Sequence, residues 1–342
     1  MVALASVPSA IQDNPSSFNL NPEDLYLFRE AVGPIDYDQT PTQVEPEVDA
    51  YDNGADRLIV TSADEYTMAP GDDDLIMTNE AQSATGNSGD NAILGSKGDN
   101  TIDAKAGDDQ VFASDGNDEV SGGSGDDLLD GGSGDDSIQG DSGDDTIHGG
   151  SGDDSIQGGS GDDRIEGESG DDEIHGDSGD DAISGGSGDD TLSGGSGNDW
   201  IHGGTGDDSI QGGSGDDTIY GGTGDDTIEG GSGADEIHGG DGDDWIFGGA
   251  GNDTIAGSGG DDTIDVGMGG KDKFVWNEGD GSDVVKGLAK GDMIDLSGAS
   301  DYEITTEGSN VVIYAGDETI VLEGLTGDDM SDDDDDDIWT IS

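Results

Sequence analysis

The chain has 342 residues, with 84 Asp plus Glu against 9 Lys plus Arg, a net charge of -75, 66 Gly and no Cys. This balance excludes an ordinary globular core over most of the length, disulfide stapling and thiol chemistry. It also argues against nucleic acid or anionic membrane as partners and in favour of cations, or surfaces bridged by cations. No run of eighteen apolar residues is present to form a transmembrane segment, and the amino terminus MVALASVPSA, lacking any basic residue, does not read as a signal peptide.

Residues 1–55 read as a loosely ordered leader with one short helix over Asn21–Val32. Asn21 is placed as its N-cap, Pro22 falls in the first turn, and Leu25, Phe28 and Val32 share a face. That helix either docks on the rest of the chain or serves a partner or targeting role. Residues 56–85 turn to strand patterns, RLIVT and YTM, and PGDDDLIMT (Pro70 to Thr78) imitates a turn of the following array out of step with it. We expect an N-terminal β cap here, because a bare first coil would expose strand edges.

From Gly86 to Asp265 one nine-residue phrase recurs twenty times in unbroken register, as in GGSGDDSIQ (Gly131 to Gln139) and GGTGDDTIE (Gly221 to Glu229). A period this short leaves room for one turn and one short strand per copy. The fourth place is Gly in all twenty copies, the eighth is always Ile, Leu or Val, and the sixth is Asp in eighteen and Asn in two, Asn91 and Asn100. Glycines supply the backbone angles of tight turns. The aliphatic points inward from a strand of three residues whose flanking places, the seventh and ninth, face water.

The phrase GGxGxDxUx, with U aliphatic, resembles the hemolysin-type calcium-binding repeat of RTX proteins. The resemblance implies an all-β fold, a parallel β-roll in which two repeats make one coil. Twenty repeats then give a calcium-stapled solenoid of about ten coils, on the order of 50 Å long. It implies Ca²⁺ in the turns between neighbouring coils, held by backbone carbonyls and sixth-place aspartates. Carried over residue by residue, the ligands are Asp109, Asp118, Asp127, Asp136, Asp145, Asp154, Asp163, Asp172, Asp181, Asp190, Asp199, Asp208, Asp217, Asp226, Asp235, Asp244, Asp253 and Asp262. Roughly eighteen sites follow. Oxygen-only donors favour Ca²⁺ over Zn²⁺ or Cu²⁺, and Mg²⁺ dehydrates too reluctantly. Fifth- and sixth-place aspartates repel one another with only Lys97, Lys105 and Arg164 in the array to oppose them, so folding is expected to be triggered by calcium. The first four copies, with Ala104 and Ala113 in the first place and Asn91 and Asn100 in the sixth, should bind most weakly.

The four histidines, His148, His175, His202 and His238, all occupy the ninth place, read as outward and solvated. The closest pair on one side is two coils apart, about 10 Å, too far to share an ion. Trp200 and Trp245 fall in seventh places on opposite flanks as surface contacts. Residues 266–342 read as a C-terminal β cap and secretion segment. DGSDVVKGLAKGDMIDLSG is similar to the segment that follows the roll in serralysin-type secreted proteins, VVIYAGDETIVLEGL looks like a hairpin turning near Gly316 and Asp317, and the ending DDDDDDIWTIS resembles type I secretion signals.

These features imply a secreted, non-enzymatic calcium-binding protein, extracellular or at the cell surface. It would be exported by a type I secretion exporter and folded outside the cell, with a structural, adhesive or surface-matrix role and self-association or contact with cell-surface polymers through Ca²⁺ bridges. Two alternatives stand beside it. One is an exported enzyme or toxin fragment using the roll as a folding module, against which residues 1–85 contain no histidine for an HExxH site. The other is an ice-binding β-roll, disfavoured by Ser and Asp where flat ranks of Thr would be needed.

Overall fold

The computed structural model describes residues 49–52, 57–61, 63–78, 82–332 and 338–341. The helix expected over Asn21–Val32 and the run Asp333–Asp337 lie outside the described residues. Among those described, every regular element but one is a strand; the exception is a single 3₁₀ turn at Gly327–Asp329.

Each repeat contributes one strand, and successive strands alternate between two parallel sheets that face each other. Ile138 pairs with Ile156 and Gln139 with Gln157, eighteen residues on, so one coil consumes two repeats. The strands are longer than the three residues expected. Ser137–Ser142 runs through the seventh, eighth and ninth places and on through the first three of the next repeat. Pairing passes from Gln139–Gln157 to Asp141–Gly159 and skips the first-place glycine.

Period-two alternation sends the sixth, eighth and first places inward. The eighth-place aliphatics therefore stack into one ladder from each sheet, Ile147, Ile165 and Ile183 on one side and Ile138, Ile156 and Ile174 on the other, all fully buried. Fourth-place glycine meets two demands at once. Gly134 has φ 133°, and a methyl group on it would stand 1.8 Å from the carbonyl oxygen of Gly116 in the preceding coil.

The solenoid is longer than the repeat array. Arg57–Thr61 pairs in parallel with Asp74–Met77, and Glu65–Thr67 with Ser83–Thr85, so residues 57–85 wind as coils of the same roll. Asp49–Asp52, at the end of the expected leader, is a strand antiparallel to Arg57–Thr61 and covers its edge. At the other end Lys273–Asn277, Val284–Lys286 and Met293–Gly298 continue the stacking. Among the described residues, fourteen strands from Arg57–Thr61 to Met293–Gly298 stack in parallel in one sheet and thirteen from Glu65–Thr67 to Val284–Lys286 in the other, making about thirteen coils in place of the ten expected. The flanking segments lost the nine-residue spacing but kept an inward apolar residue, such as Leu75, Phe274 and Val285, and that is all a coil needs from its neighbours.

A hairpin and a returning strand close the carboxyl-terminal end. Glu318–Glu323 adds in parallel to Val284–Lys286 and forms an antiparallel hairpin with Asn310–Ala315, whose two-residue turn is Gly316–Asp317. Ile338–Ile341 returns against Met293–Gly298.

Candidate calcium sites between coils

The sixth-place aspartates form two continuous ladders, one per sheet, at the turns that lead into the strands. The backbone N–H of each donates to Oδ1 of the sixth-place aspartate one coil further on: Asp109 to Asp127 at 2.7 Å, Asp127 to Asp145 at 2.8 Å and Asp217 to Asp235 at 3.0 Å. Asp109 through Asp262 are each at most 3 % exposed, yet Oδ2 of all eighteen is buried without a hydrogen-bond partner. A buried carboxylate oxygen left unsatisfied is costly once, and far more so eighteen times in register.

In sixteen of the eighteen copies, all but those of Ala104 and Ala113, the space in front of that oxygen is kept open by the first-place glycine. A methyl group on Gly131 would stand 2.4 Å from Asp136 Oδ2 and 2.7 Å from the carbonyl oxygen of Gly149 in the next coil. Carboxylate and carbonyl oxygens thus meet around a pocket that admits no side chain, a donor set suited to a hard cation. Burial, reinforced by the neighbouring carboxylates, pushes Asp127 up to about 7 and Asp145 to about 6, values a bound cation would reverse. These residues fit Ca²⁺, which would supply the positive charge that the pockets lack.

Five consecutive stretches, residues 85–120, 121–156, 157–192, 193–228 and 229–264, match the family model described as RTX calcium-binding nonapeptide repeat (4 copies). The chain belongs to this RTX family. Among solved structures it is similar to the extracellular lipase LipA from Serratia marcescens, at 20 % identity and a TM-score of 0.30, over 55 % of this chain and 38 % of the lipase. The chain therefore spans well under half the length of that relative. No curated protein matches it.

Within this RTX roll, the two sixth-place asparagines lie in pockets that supply hydrogen-bond donors of their own. In the first two copies the second-place residues, Asn87 and Ser96, are not left-handed as Lys105 and Ser114 are, and their N–H groups turn into the pocket. They donate to Asn91 Oδ1 at 2.9 Å and Asn100 Oδ1 at 2.6 Å, while Asn100 Nδ2 donates to Ser96 Oγ at 3.0 Å. A pocket lined by its own donors takes a neutral amide. One lined by acceptors takes a carboxylate with an oxygen to spare.

The fifth-place aspartates form a second ladder of opposite polarity: the Asp126 N–H donates back to Asp108 Oδ1 at 3.1 Å, and the carboxylates stay exposed. Sequence reasoning missed three members of the buried ladder. Asp253, Asp262 and Asp272 donate in turn to Oδ1 of Asp272, Asp283 and Asp292 at 3.1, 3.1 and 3.0 Å. Their spacings of 19, 21 and 20 residues break the period, although GKDKF and GSDVV each keep glycine, aspartate and an apolar residue in the right order.

The histidines behave as expected except one. His175 and His238 lie beside Glu173 and Glu236 on the outer faces, and Tyr220 stands in the ladder between His202 and His238, so those two share nothing. His148 is buried at 6 % exposure and not solvated, because its strand neighbour Glu166 and the long side chain of Glu168 fold over it.

Proposed function

We propose that the protein is an extracellular rod whose coils are assembled by Ca²⁺. The observation that carries this reading is the register of eighteen buried, partnerless Oδ2 atoms, with a next-coil carbonyl oxygen facing the same pocket in the central repeats, such as Gly149 for Asp136. In the cytosol, where free Ca²⁺ is scarce, mutual repulsion would keep the chain extended and fit for a type I exporter. Outside, each ion cancels charge on one coil and ties it to the next, so binding and folding are one event. Roughly eighteen ions per chain is our expectation, one for each sixth-place aspartate.

The role we assign is structural and non-enzymatic, in a surface coat or matrix. Support comes from the exposed fifth-place aspartates, which present a rank of carboxylates along each turn edge where Ca²⁺ can bridge neighbouring rods or acidic polymers. Far-UV circular dichroism tests the folding step: sheet signal should appear at millimolar Ca²⁺ and vanish with chelator. Equilibrium dialysis tests the count, and retention of only a handful of ions would refute it. Hydrolase assays on the calcium-folded chain and electron microscopy of assemblies formed on adding Ca²⁺ test the role.

A further inference from the structure

On the outer face of one sheet, away from the turn pockets, His148 is held in a ladder between Asp130 and Glu166. Its Nδ1 is 3.7 Å from Glu166 Oε2 and 3.7 Å from Glu168 Oε1, and one ligand atom from each of the three residues lies within 4.8 Å of the others. We propose that His148, Glu166 and Glu168 form a separate site for one borderline first-row divalent cation, Zn²⁺ being the ion that suits it best.

The burial of the imidazole points to a ligand. His148 is 6 % exposed, and its buried Nδ1 has no hydrogen-bond partner. The separations are too long for hydrogen bonds. They are what two ligands of one ion show, since donors about 2.0–2.2 Å from a tetrahedral metal stand roughly 3–4 Å from each other. Arg164 Nη2 donates to the other oxygen of Glu166 at 2.7 Å, which turns Oε2 toward His148, as an outer partner orients a metal ligand.

Glu168 occupies a second place, with φ 75°, where the paired residues on either side are Gly150 and Gly186. It is the only glutamate in that column of the array. An imidazole nitrogen suits Zn²⁺ and not Ca²⁺, so this cluster differs in kind from the all-oxygen pockets. Three protein ligands leave one position for water or a donor from another molecule.

The test uses the full chain, folded in millimolar Ca²⁺, dialysed against Zn²⁺ and separately titrated with Co²⁺ as a spectroscopic probe. One Zn²⁺ should be retained against the excess Ca²⁺, and Co²⁺ should give a visible d–d band. His148→Gln should abolish both. Glu168→Gly, which installs the residue found in the adjacent coils and so spares the fold, should weaken Zn²⁺ by roughly tenfold or more with calcium content and far-UV spectrum unchanged. Failure of the calcium-folded chain to retain Zn²⁺, or equal retention by both variants, would overturn the site and leave the cluster a metal-free contact of His148 with the two glutamates. Either result would leave the calcium reading intact.

Discussion

The N–H of Asp181 donates to Oδ1 of Asp199 at 2.9 Å, and that one bond decides which oxygen of Asp199 faces the cation pocket. The two oxygens therefore do separate work, and substitutions should separate them. Asp199→Asn retains an acceptor for Asp181 and removes the charge, so the roll should still fold with one ion fewer by dialysis. Asp199→Ala strips the acceptor as well and leaves a buried N–H unpaired, at a cost of about 1–3 kcal/mol. Equal melting temperatures for the two variants in saturating Ca²⁺ would show that Oδ1 does nothing for the backbone.

First-place glycine should matter as much as the aspartate it faces. A methyl group on Gly194 would lie 2.3 Å from Asp199 Oδ2, so Gly194→Ala should weaken that site by on the order of tenfold although no carboxylate is touched. Ala104 and Ala113 already carry that methyl in copies three and four, which makes the sites of Asp109 and Asp118 the weak end of the array. Ala104→Gly should tighten its site by on the order of tenfold, about 1.4 kcal/mol. Calcium titration followed by NMR of the Asp109 amide is the direct readout, and an unchanged midpoint would count against the steric argument.

Protons should substitute for calcium. Burial raises Asp154, Asp190 and Asp208 to about 7 and Asp136 and Asp181 to about 6, from an ordinary 3.8. Between those limits the folded state binds more protons than the unfolded one. Stability of the calcium-free roll is therefore greatest below about pH 4 and falls as pH rises through 6 to 7. Chain stripped of metal on a chelating resin should gain sheet signal when taken from pH 8 to 5. With Ca²⁺ present the trend reverses, since protonation expels the ion. A calcium-free chain whose sheet content stays flat over that interval would contradict the burial of these carboxylates.

How much of this was legible in the sequence follows from what the period encodes. Inward Ile147, the turn at Gly134 and the buried aspartate series from Asp109 to Asp262 all follow from fixed columns, because each column sets one backbone angle or one facing direction. The hairpin at Gly316–Asp317 was legible from local turn chemistry. The extra coils were not, since Leu75 and Phe274 hold the core place without the spacing that announces it. His148 was misread for a related reason. Its column is outward on average, and only the side chains one coil away, Glu166 and Glu168, bury it. Neighbours at eighteen residues' separation decide such cases, and a nine-residue column average hides them.

Asp283 gives the sharpest test of the coils beyond the repeats. It is 1 % exposed, its Oδ2 has no partner, and burial together with the facing carboxylate of Asp262 pushes it up to about 8. Two residues on, Val285 enters the core, and the Asp283 carbonyl accepts from Val321 at 2.8 Å, so this residue joins the last coil to the closing hairpin. Trp276 is buried in the same region at 1 % exposure and donates from Nε1 to the Gly281 carbonyl at 3.3 Å, which makes it a local reporter. In a chain whose other tryptophans are replaced by phenylalanine, Ca²⁺ should shift Trp276 emission to the blue. Asp283→Asn keeps the acceptor for the Asp262 N–H but loses the charge, and should raise the calcium midpoint of that shift by roughly tenfold. The circular dichroism midpoint, dominated by the central coils, should hardly move. Parallel movement of the two midpoints would mean that the terminal coil has no ion of its own and folds only as an appendage of the array.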